Sequence, residues 1–343
     1  FAAQSRFEPR IPALVAGATV TVGMAVAAGR SLFGAGFLQG ERLLPAPAGW
    51  RELLDSYLLA VPGQAELSGP AWTGLAGLAS LITAGRPEFL VSVLVMGCVP
   101  LAWLAAFRFL RQSLGSATLA GVGAFCYAVA PAVIGILNLG AIGAALWTVL
   151  LPVFAYSLRA WLTEETLLWR RAAAAALWAL MLVALVPLAW AVLLPLAVGL
   201  VLRRRSATMA GQAALLVVAP LLLVVGPWRE TLLSYPGRLL TGIDPSLGGT
   251  DQVEPWQVLL GRVAGQLPPL WLSVIVIAGL WAVALAGALR RGAAAASALV
   301  AAALAAGAAL GLTRLLVWVP PGEWARPEAL EWLVLMIGGL VLA

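Results

Sequence analysis

The sequence predicts an all-α polytopic membrane protein with about ten membrane segments. Two observations support this fold class. Of the 343 residues, 62% are hydrophobic and only 10% are charged, whereas soluble chains contain about a quarter charged residues. In addition, arginines cluster between apolar runs of roughly 20 residues, and the clusters recur on alternate loops. Because arginine-rich loops face the cytosol, the clusters assign a side of the membrane to each loop.

The predicted segments follow the apolar runs of the chain. They cover residues 11–29, 87–107, 117–137, 142–158, 172–202, 208–227, 268–289, 293–313 and 328–343. The run 172–202 is 31 residues long, too long for one span and too short for two. Since arginines stand at both of its ends, we predict a hairpin of two short helices that turns near Pro187. Residues 1–343 then form a single transmembrane domain with a cytosolic N-terminus. We expect this sequence to be an excerpt of a longer chain.

Two longer loops, 30–86 and 228–267, are assigned to the external side. In the first, the apolar residues of 50–61 recur at helical spacing, and the opposite face carries charged residues. This pattern predicts an amphipathic helix that lies in the outer interface. Residues 70–84 are apolar but too short to span, so we predict a second helix that is interfacial or re-entrant.

Three external carboxylates are candidate general bases. Glu41 follows the first span, and Glu52 and Asp55 share one face of the amphipathic helix. A carboxylate held beside apolar surface has a raised pKa and can accept the proton of an acceptor hydroxyl. The alternative interpretation for Glu52 and Asp55 is a solvated helix face, in which Arg51 and Asp55 form an ordinary i, i+4 ion pair.

External arginines are the candidate ligands of a lipid phosphate, because arginine binds phosphate oxygens bidentately and is always charged. The alternative role for these arginines is snorkelling from helix ends towards the headgroups. Trp50 joins the predicted substrate-binding set as an aromatic residue at headgroup level. The set is Trp50, Arg42, Arg51, Arg229, Arg238 and Arg314, with Arg326 as a further external arginine.

Several classes of site are excluded or not indicated. The chain contains no histidine, and it has no phosphate-binding loop or dinucleotide fingerprint. No cofactor is evident from the sequence. One interpretation of Asp244, Asp251 and Glu254 is that they converge on Mg²⁺ or Ca²⁺. The alternative is that these acids simply make the loop soluble. The net charge of +6 does not indicate nucleic-acid binding, because the arginines flank apolar runs and form no groove with interleaved aromatic residues.

The order of segments resembles the GT-C fold of membrane glycosyltransferases, which use polyprenyl-phosphate-linked sugars. The shared features are a first span, a long external loop with two non-spanning helices, a return span, short paired helices and a second large external loop. The segment Gly40-Glu41-Arg42-Leu43-Leu44-Pro45-Ala46-Pro47 and Trp50 with Ser56-Tyr57-Leu58 resemble the membrane region of large family-2 glycosyltransferases from high-GC bacteria. So does the segment 113–131, where Tyr127 shortly precedes Pro131.

The resemblance implies a membrane glycosyltransferase region in the bacterial plasma membrane, which handles polyprenyl-phosphate-linked sugars for cell-envelope glycan synthesis. Its partners would be membrane lipid, the sugar donor and a glycan acceptor. One departure is clear: GT-C enzymes generally carry an Asp in the first external loop near the end of the first span, and residues 29–40 contain no acid. The alternatives are therefore a non-catalytic anchor or translocation domain of a glycosyltransferase, or a secondary transporter.

Overall fold

The computed structural model describes residues 11–28, 49–58, 71–163, 169–240, 253–263, 269–319, 323–327 and 329–343. These residues form helices and one short antiparallel β-hairpin of β1 (Val317–Val319) and β2 (Glu323–Ala325). The first eight helices are α1 (Ile11–Ala28), α2 (Trp50–Leu58), α3 (Ala71–Ser80), α4 (Pro87–Leu114), α5 (Ala117–Ala128), α6 (Ala130–Val133), α7 (Ile136–Leu139) and α8 (Ile142–Thr163). The others are α9 (Trp169–Leu185), α10 (Trp190–Arg204), α11 (Ala207–Ser234), α12 (Pro255–Leu259), α13 (Leu270–Ser273), α14 (Gly279–Arg291), α15 (Ala293–Arg314) and α16 (Leu330–Leu342).

The protein is an all-α membrane protein. Among the described residues, five helical segments are long and apolar enough to cross a bilayer, namely Pro87–Leu114, Ile142–Thr163, Pro187–Arg204, Leu270–Arg290 and Ala293–Arg314. Large apolar side chains point outward from several helices: Leu222, Val283 and Leu304 are each about 70% exposed. Water would disfavour so much apolar surface, whereas lipid does not, so the exposed faces are consistent with a bilayer environment.

Arginine-bearing helix ends lie together at one end of the helical bundle, which we call the arginine end. Arg159 at the end of α8 donates to the Gln112 carbonyl of α4 (3.2 Å), and Arg204 at the end of α10 donates to the Leu162 carbonyl of α8 (2.8 Å). The ring of Trp169, the first residue of α9, packs on Gly211 near the start of α11. The arginine-bearing ends of four helices, α4, α8, α9 and α10, thus meet at the same end of the bundle.

The last three long helices, α14, α15 and α16, each have one terminus at the arginine end. Gly123 of α5 lies between Leu110 of α4 and Val341 of α16, so α16 ends at the arginine end. Gly339 packs against the backbone of α15 at Ala298 and Ala302, so α15 begins there, directly after α14 ends at Arg291. The opposite, arginine-poor end therefore carries the start of α16 and the β-hairpin.

The segment 172–202 consists of two helices, α9 and α10, separated by a 3-10 turn at Pro187–Ala189. Val186 is extended (φ −133°, ψ 92°), because a residue before proline avoids the helical region. Trp190 donates its indole N–H to the Val217 carbonyl of α11 (3.0 Å), and α11 packs against both α9 and α10.

Two predicted segments need correction. Residues 117–137 do not form one continuous span, since α5 ends at Ala128 and the short helices α6 and α7 follow. Pro131 has no N–H to continue the ladder, and Gly135 adopts φ +84°, which ends the helix. In addition, α11 continues to Ser234, seven residues beyond the predicted end at 227, so Arg229 lies on a helix and not in a loop.

Two polar side chains inside the bundle are bonded to neighbouring helices. Tyr127 of α5 donates to the Thr148 carbonyl of α8 (2.9 Å). Pro152, four residues after Thr148, has no N–H, so this tyrosine replaces the donor that the helix lacks. Trp161 of α8 donates its indole N–H to the side-chain oxygen of Gln212 in α11 (2.8 Å). Gln212 is a fully buried polar residue within an apolar run.

The helices α2 and α3 are too short to span and pack against each other. The ring of Tyr57 lies directly on Gly74, and the backbone of α2 at Trp50 and Leu54 lies against Gly77. A side chain at either glycine would collide with α2, so the two glycines permit the close approach of the helices. The helix α3 also contacts α4, α9 and α11, which fixes the pair on the bundle.

Candidate functional site

The candidate site is the exposed face of α2. The start of this helix is held by a hydrogen bond from the Trp50 N–H to the Gly85 carbonyl (3.3 Å). Gly85 and Ala84 both adopt positive φ, which forms the turn that leads into α4. The indole of Trp50 lies on Gly85, where a Cβ would meet the ring. Pro87, the first residue of α4, is two residues after Gly85. The start of α2 is therefore fixed next to the start of α4.

Charged residues occupy one side of α2 and apolar residues the other. Arg51, Glu52 and Asp55 are exposed, whereas Leu53 is buried. Glu52 lies in the first turn, where the helix dipole stabilises a negative charge. Glu52 and Asp55, three residues apart, lie on the same face, as predicted from their spacing.

Arg51 does not pair with Asp55. Its guanidinium carbon lies 5.4 Å from the centroid of the Trp50 ring, a cation–π contact. Within the described part of the chain, no ion pair joins Arg51 and Asp55, although they stand four residues apart. The Asp55 carboxylate therefore faces outward without the neighbouring cation that the alternative interpretation required.

The surroundings of Glu52 and Asp55 differ from the prediction in one respect. The general-base hypothesis expected a carboxylate held against apolar surface, but both side chains are exposed on α2. Tyr57 is the titratable group of α2 that is partly buried, against Gly74, and this burial raises the pKa of its phenol above the ordinary value. The phenol thus stays protonated over a wider pH range and remains a hydrogen-bond donor.

The other predicted site residues are distributed along the chain. Glu41 and Arg42 lie outside the described residues. Arg229 is on α11, and Arg238 is in the 3-10 turn Pro236–Leu239. Arg314, the last residue of α15, donates to the Val253 carbonyl (3.0 Å), which joins α15 to the segment before α12. Trp50, Arg51, Glu52 and Asp55 are thus brought together on one helix, and Arg314 belongs to a different set of contacts.

The arginine-poor end near Arg314 is built from hydrogen-bonded connections. Arg326, after the β-hairpin, donates to the Thr313 carbonyl (2.9 Å), and Arg262 donates to the Ser273 hydroxyl (3.3 Å). Trp318 and Trp324 stand opposite each other on the hairpin, with ring centroids 5.3 Å apart in an edge-to-face arrangement. Arg314 and Arg326 therefore have a structural role in addition to any contact with phosphate.

No metal centre is indicated within the described ranges, where no three Cys, Asp or Glu residues lie close enough to hold an ion. Asp244 and Asp251 of the predicted acidic set lie outside these ranges. Glu254 precedes α12 and forms a capping box with Gln257, whose side-chain oxygen accepts from the Glu254 N–H (3.0 Å). Helix capping is therefore the role that the structure gives to Glu254.

Glu331 is a candidate that the sequence argument missed. It lies in the first turn of α16 and is only 6% exposed. The signal was present in the sequence, because Glu328 and Glu331 stand at the start of the predicted membrane segment 328–343, and a carboxylate inside a membrane segment is costly and marks a candidate functional position.

A scan against protein-family models and searches of curated proteins and of solved structures found no match to this chain.

Proposed function

We propose that the chain is a membrane glycosyltransferase region that transfers a polyprenyl-phosphate-linked sugar on the external face of the bacterial plasma membrane, for cell-envelope glycan synthesis. The observation that carries the proposal is the non-spanning helix pair α2–α3, which presents Arg51, Glu52 and Asp55 on an exposed face. This pair has the form predicted for the first external loop of a GT-C-like chain.

The position of α2 relative to the arginines supports an external site. The helix α4 has 28 residues, so it is about 42 Å long, enough to cross the bilayer. Arg108 and Arg111 lie near its end, whereas α2 is hydrogen-bonded to Gly85, just before its start. If the arginine end is cytosolic, as the positive-inside rule requires, then α2 lies on the outer side.

The proposed reaction needs one base and one phosphate ligand. The acceptor hydroxyl gives its proton to Asp55, Glu52 or Glu41, and its oxygen forms a bond to the anomeric carbon of the sugar. The bond between that carbon and the phosphate oxygen breaks, so that polyprenyl phosphate leaves with the electron pair. Arg51, with Arg42, holds the leaving phosphate and stabilises its charge.

A second candidate function is a non-catalytic anchor or translocation domain of a larger glycosyltransferase. The exposure of both Glu52 and Asp55 favours this alternative, since neither carboxylate is held against apolar surface. The absence of an acid from residues 29–40 points the same way. This alternative predicts that transfer by the full-length protein survives changes to these carboxylates.

The two functions are distinguished by removing the candidate bases from the full-length protein in membranes. We expect one of Glu41→Gln, Glu52→Gln or Asp55→Asn to lower transfer from a panel of polyprenyl-phosphate hexoses by about 100-fold or more, the usual contribution of a general base. The matched control is Glu88→Gln, because Glu88 is an exposed carboxylate in the first turn of α4 at the same end. Full transfer by the triple variant would refute the catalytic assignment.

A further inference from the structure

The β-hairpin of β1 and β2 has one face on the protein and one face exposed. Val317 of β1 is buried and packs on Leu240, and Gly237 lies so close that a Cβ there would meet the backbone of Trp318. The other face carries Trp318 and Trp324, which are paired directly across the two strands. Trp318 is 44% exposed and Trp324 is 62% exposed. The β-hairpin thus holds two large aromatic rings outside the helical bundle.

The two rings are held in an edge-to-face arrangement. Their centroids lie 5.3 Å apart and their planes meet at 68°, a geometry that aromatic pairs favour. Because the planes are far from parallel, the pair offers no flat surface on which one sugar ring would stack against both indoles. An indole has an apolar body and a polar N–H, and such side chains concentrate at the level of the lipid headgroups. The lipid interface is therefore the environment that this pair matches.

The length of α15 sets the depth of the β-hairpin in the membrane. The helix has 22 residues, so it is about 33 Å long, close to the hydrocarbon thickness of about 30 Å. It begins at the arginine end and finishes with Arg314, three residues before β1. Arg314 is exposed, at the level where the guanidinium of a snorkelling arginine meets headgroup phosphates. The β-hairpin therefore stands in the headgroup layer of the arginine-poor side.

The exposed apolar surface of α15 continues towards the β-hairpin. Val300 and Leu304, four residues apart on one face of this candidate span, are 57% and 69% exposed. Leu315 and Leu316, which connect α15 to β1, are 47% and 50% exposed. Apolar side chains thus face outward from the middle of the span up to the tryptophan pair. The exposed face of the β-hairpin is continuous with the surface that contacts lipid.

We infer that the exposed face of the β-hairpin, with Trp318 and Trp324, lies in the headgroup layer and binds the lipid interface. This inference needs only the orientation of α15 across the bilayer and is independent of the proposed transferase. Its consequence concerns the second long loop. Because β1 packs on Gly237 and Arg314 donates to the Val253 carbonyl, the anchored β-hairpin holds the residues on both sides of 241–252 at the membrane surface.

Fluorine NMR spectra of the full chain in nanodiscs of phosphatidylcholine and phosphatidylglycerol measure the depth of the two rings. All tryptophans are replaced by 5-fluorotryptophan, and the variants Trp318→Phe and Trp324→Phe assign the two signals by their loss. One sample carries a nitroxide on the lipid headgroup, and a second carries it at the end of the acyl chain. Since these nitroxides differ in depth by about 15 Å, half the hydrocarbon thickness, we expect the headgroup nitroxide to relax both signals at least about fivefold faster.

Trp281 gives the matched control, assigned by Trp281→Phe. It lies near the centre of the candidate span Leu270–Arg290 and is half-buried, so the acyl-chain nitroxide should relax its signal faster than the headgroup nitroxide. The same order for Trp318 and Trp324 would place the β-hairpin in the hydrocarbon core and overturn the inference. Relaxation of these two signals by a water-soluble gadolinium chelate, but by neither lipid nitroxide, would place the β-hairpin in water and also overturn it. So would a shift of both signals with soluble maltohexaose in the absence of relaxation by the headgroup nitroxide, because the face would then bind saccharide.

Discussion

Arg51 lies over the ring of Trp50, and this contact determines what α2 presents to a substrate. The guanidinium is held at the surface of α2 by an aromatic ring and not by Asp55. A cation held over a ring keeps N–H groups for a phosphate, and Asp55 remains an uncompensated anion on the same helix. Under the proposed function, the phosphate ligand and the base are thus separate groups on one short helix.

The role of Arg51 predicts a change in donor binding. Arg51→Ala should raise KM for the polyprenyl-phosphate sugar by about 10-fold, the effect of losing a hydrogen bond to a charged group. Arg51→Lys should recover part of the loss, since lysine keeps the charge but not the bidentate geometry. Arg86, exposed just before α4, gives the control Arg86→Ala, which should leave KM unchanged. An unaltered KM in Arg51→Ala would remove Arg51 from the binding set.

At the level of elements, the bundle depends on side chains that repair interruptions in its helices. Pro152 deprives the Thr148 carbonyl of its helical donor, and Tyr127 of α5 supplies the replacement. This bond joins α5, which ends at Ala128, to α8, a candidate span. The broken region after α5 is therefore held by a specific contact, in addition to apolar packing.

The bond between Tyr127 and Thr148 predicts a coupled pair of mutations. Tyr127→Phe should lower the free energy of unfolding by about 1 kcal/mol, because it leaves a buried carbonyl without a donor. Pro152→Ala restores the backbone N–H to α8, so Tyr127→Phe should cost much less in that background. Thermal unfolding of the four proteins in one detergent measures this coupling. Equal costs of Tyr127→Phe in both backgrounds would contradict the account.

The elements that the sequence predicted well are those where one local pattern dominates. Long apolar runs predicted the helices over 87–107, 142–158 and 293–313, and helical spacing of apolar residues predicted α2. The break at Gly135, the extension of α11 to Ser234 and the hairpin Val317–Ala325 were not predicted, because hydropathy averaged along the chain does not register them.

The candidate site was partly predictable for the same reason. The spacing of Glu52 and Asp55 placed them on one face of a helix. The contact of Arg51 with Trp50 was not foreseen, because Asp55 four residues on was an equally good partner by spacing. The burial of Glu331 depends on the packing of α16 against α8, α14 and α15, and no local pattern contains that information.

At the scale of the whole molecule, the arginines divide the bundle into two ends. The clusters of α4, α8, α9, α10 and α14 meet at the arginine end, and the starts of α4 and α16 lie at the other. The exposed face of α2 and the β-hairpin belong to the arginine-poor end. Under the proposed function, this end faces outward and carries out glycosyl transfer.

The sidedness of transfer distinguishes an external site from a cytosolic one. Right-side-out and inside-out vesicles that contain the full-length protein and a polyprenyl-phosphate hexose are given a membrane-impermeant glycan acceptor. We expect transfer in right-side-out vesicles and loss of that transfer in the triple variant Glu41→Gln, Glu52→Gln and Asp55→Asn. Intact inside-out vesicles should show no transfer until detergent opens them. Transfer confined to inside-out vesicles, or unchanged in the triple variant, would contradict it.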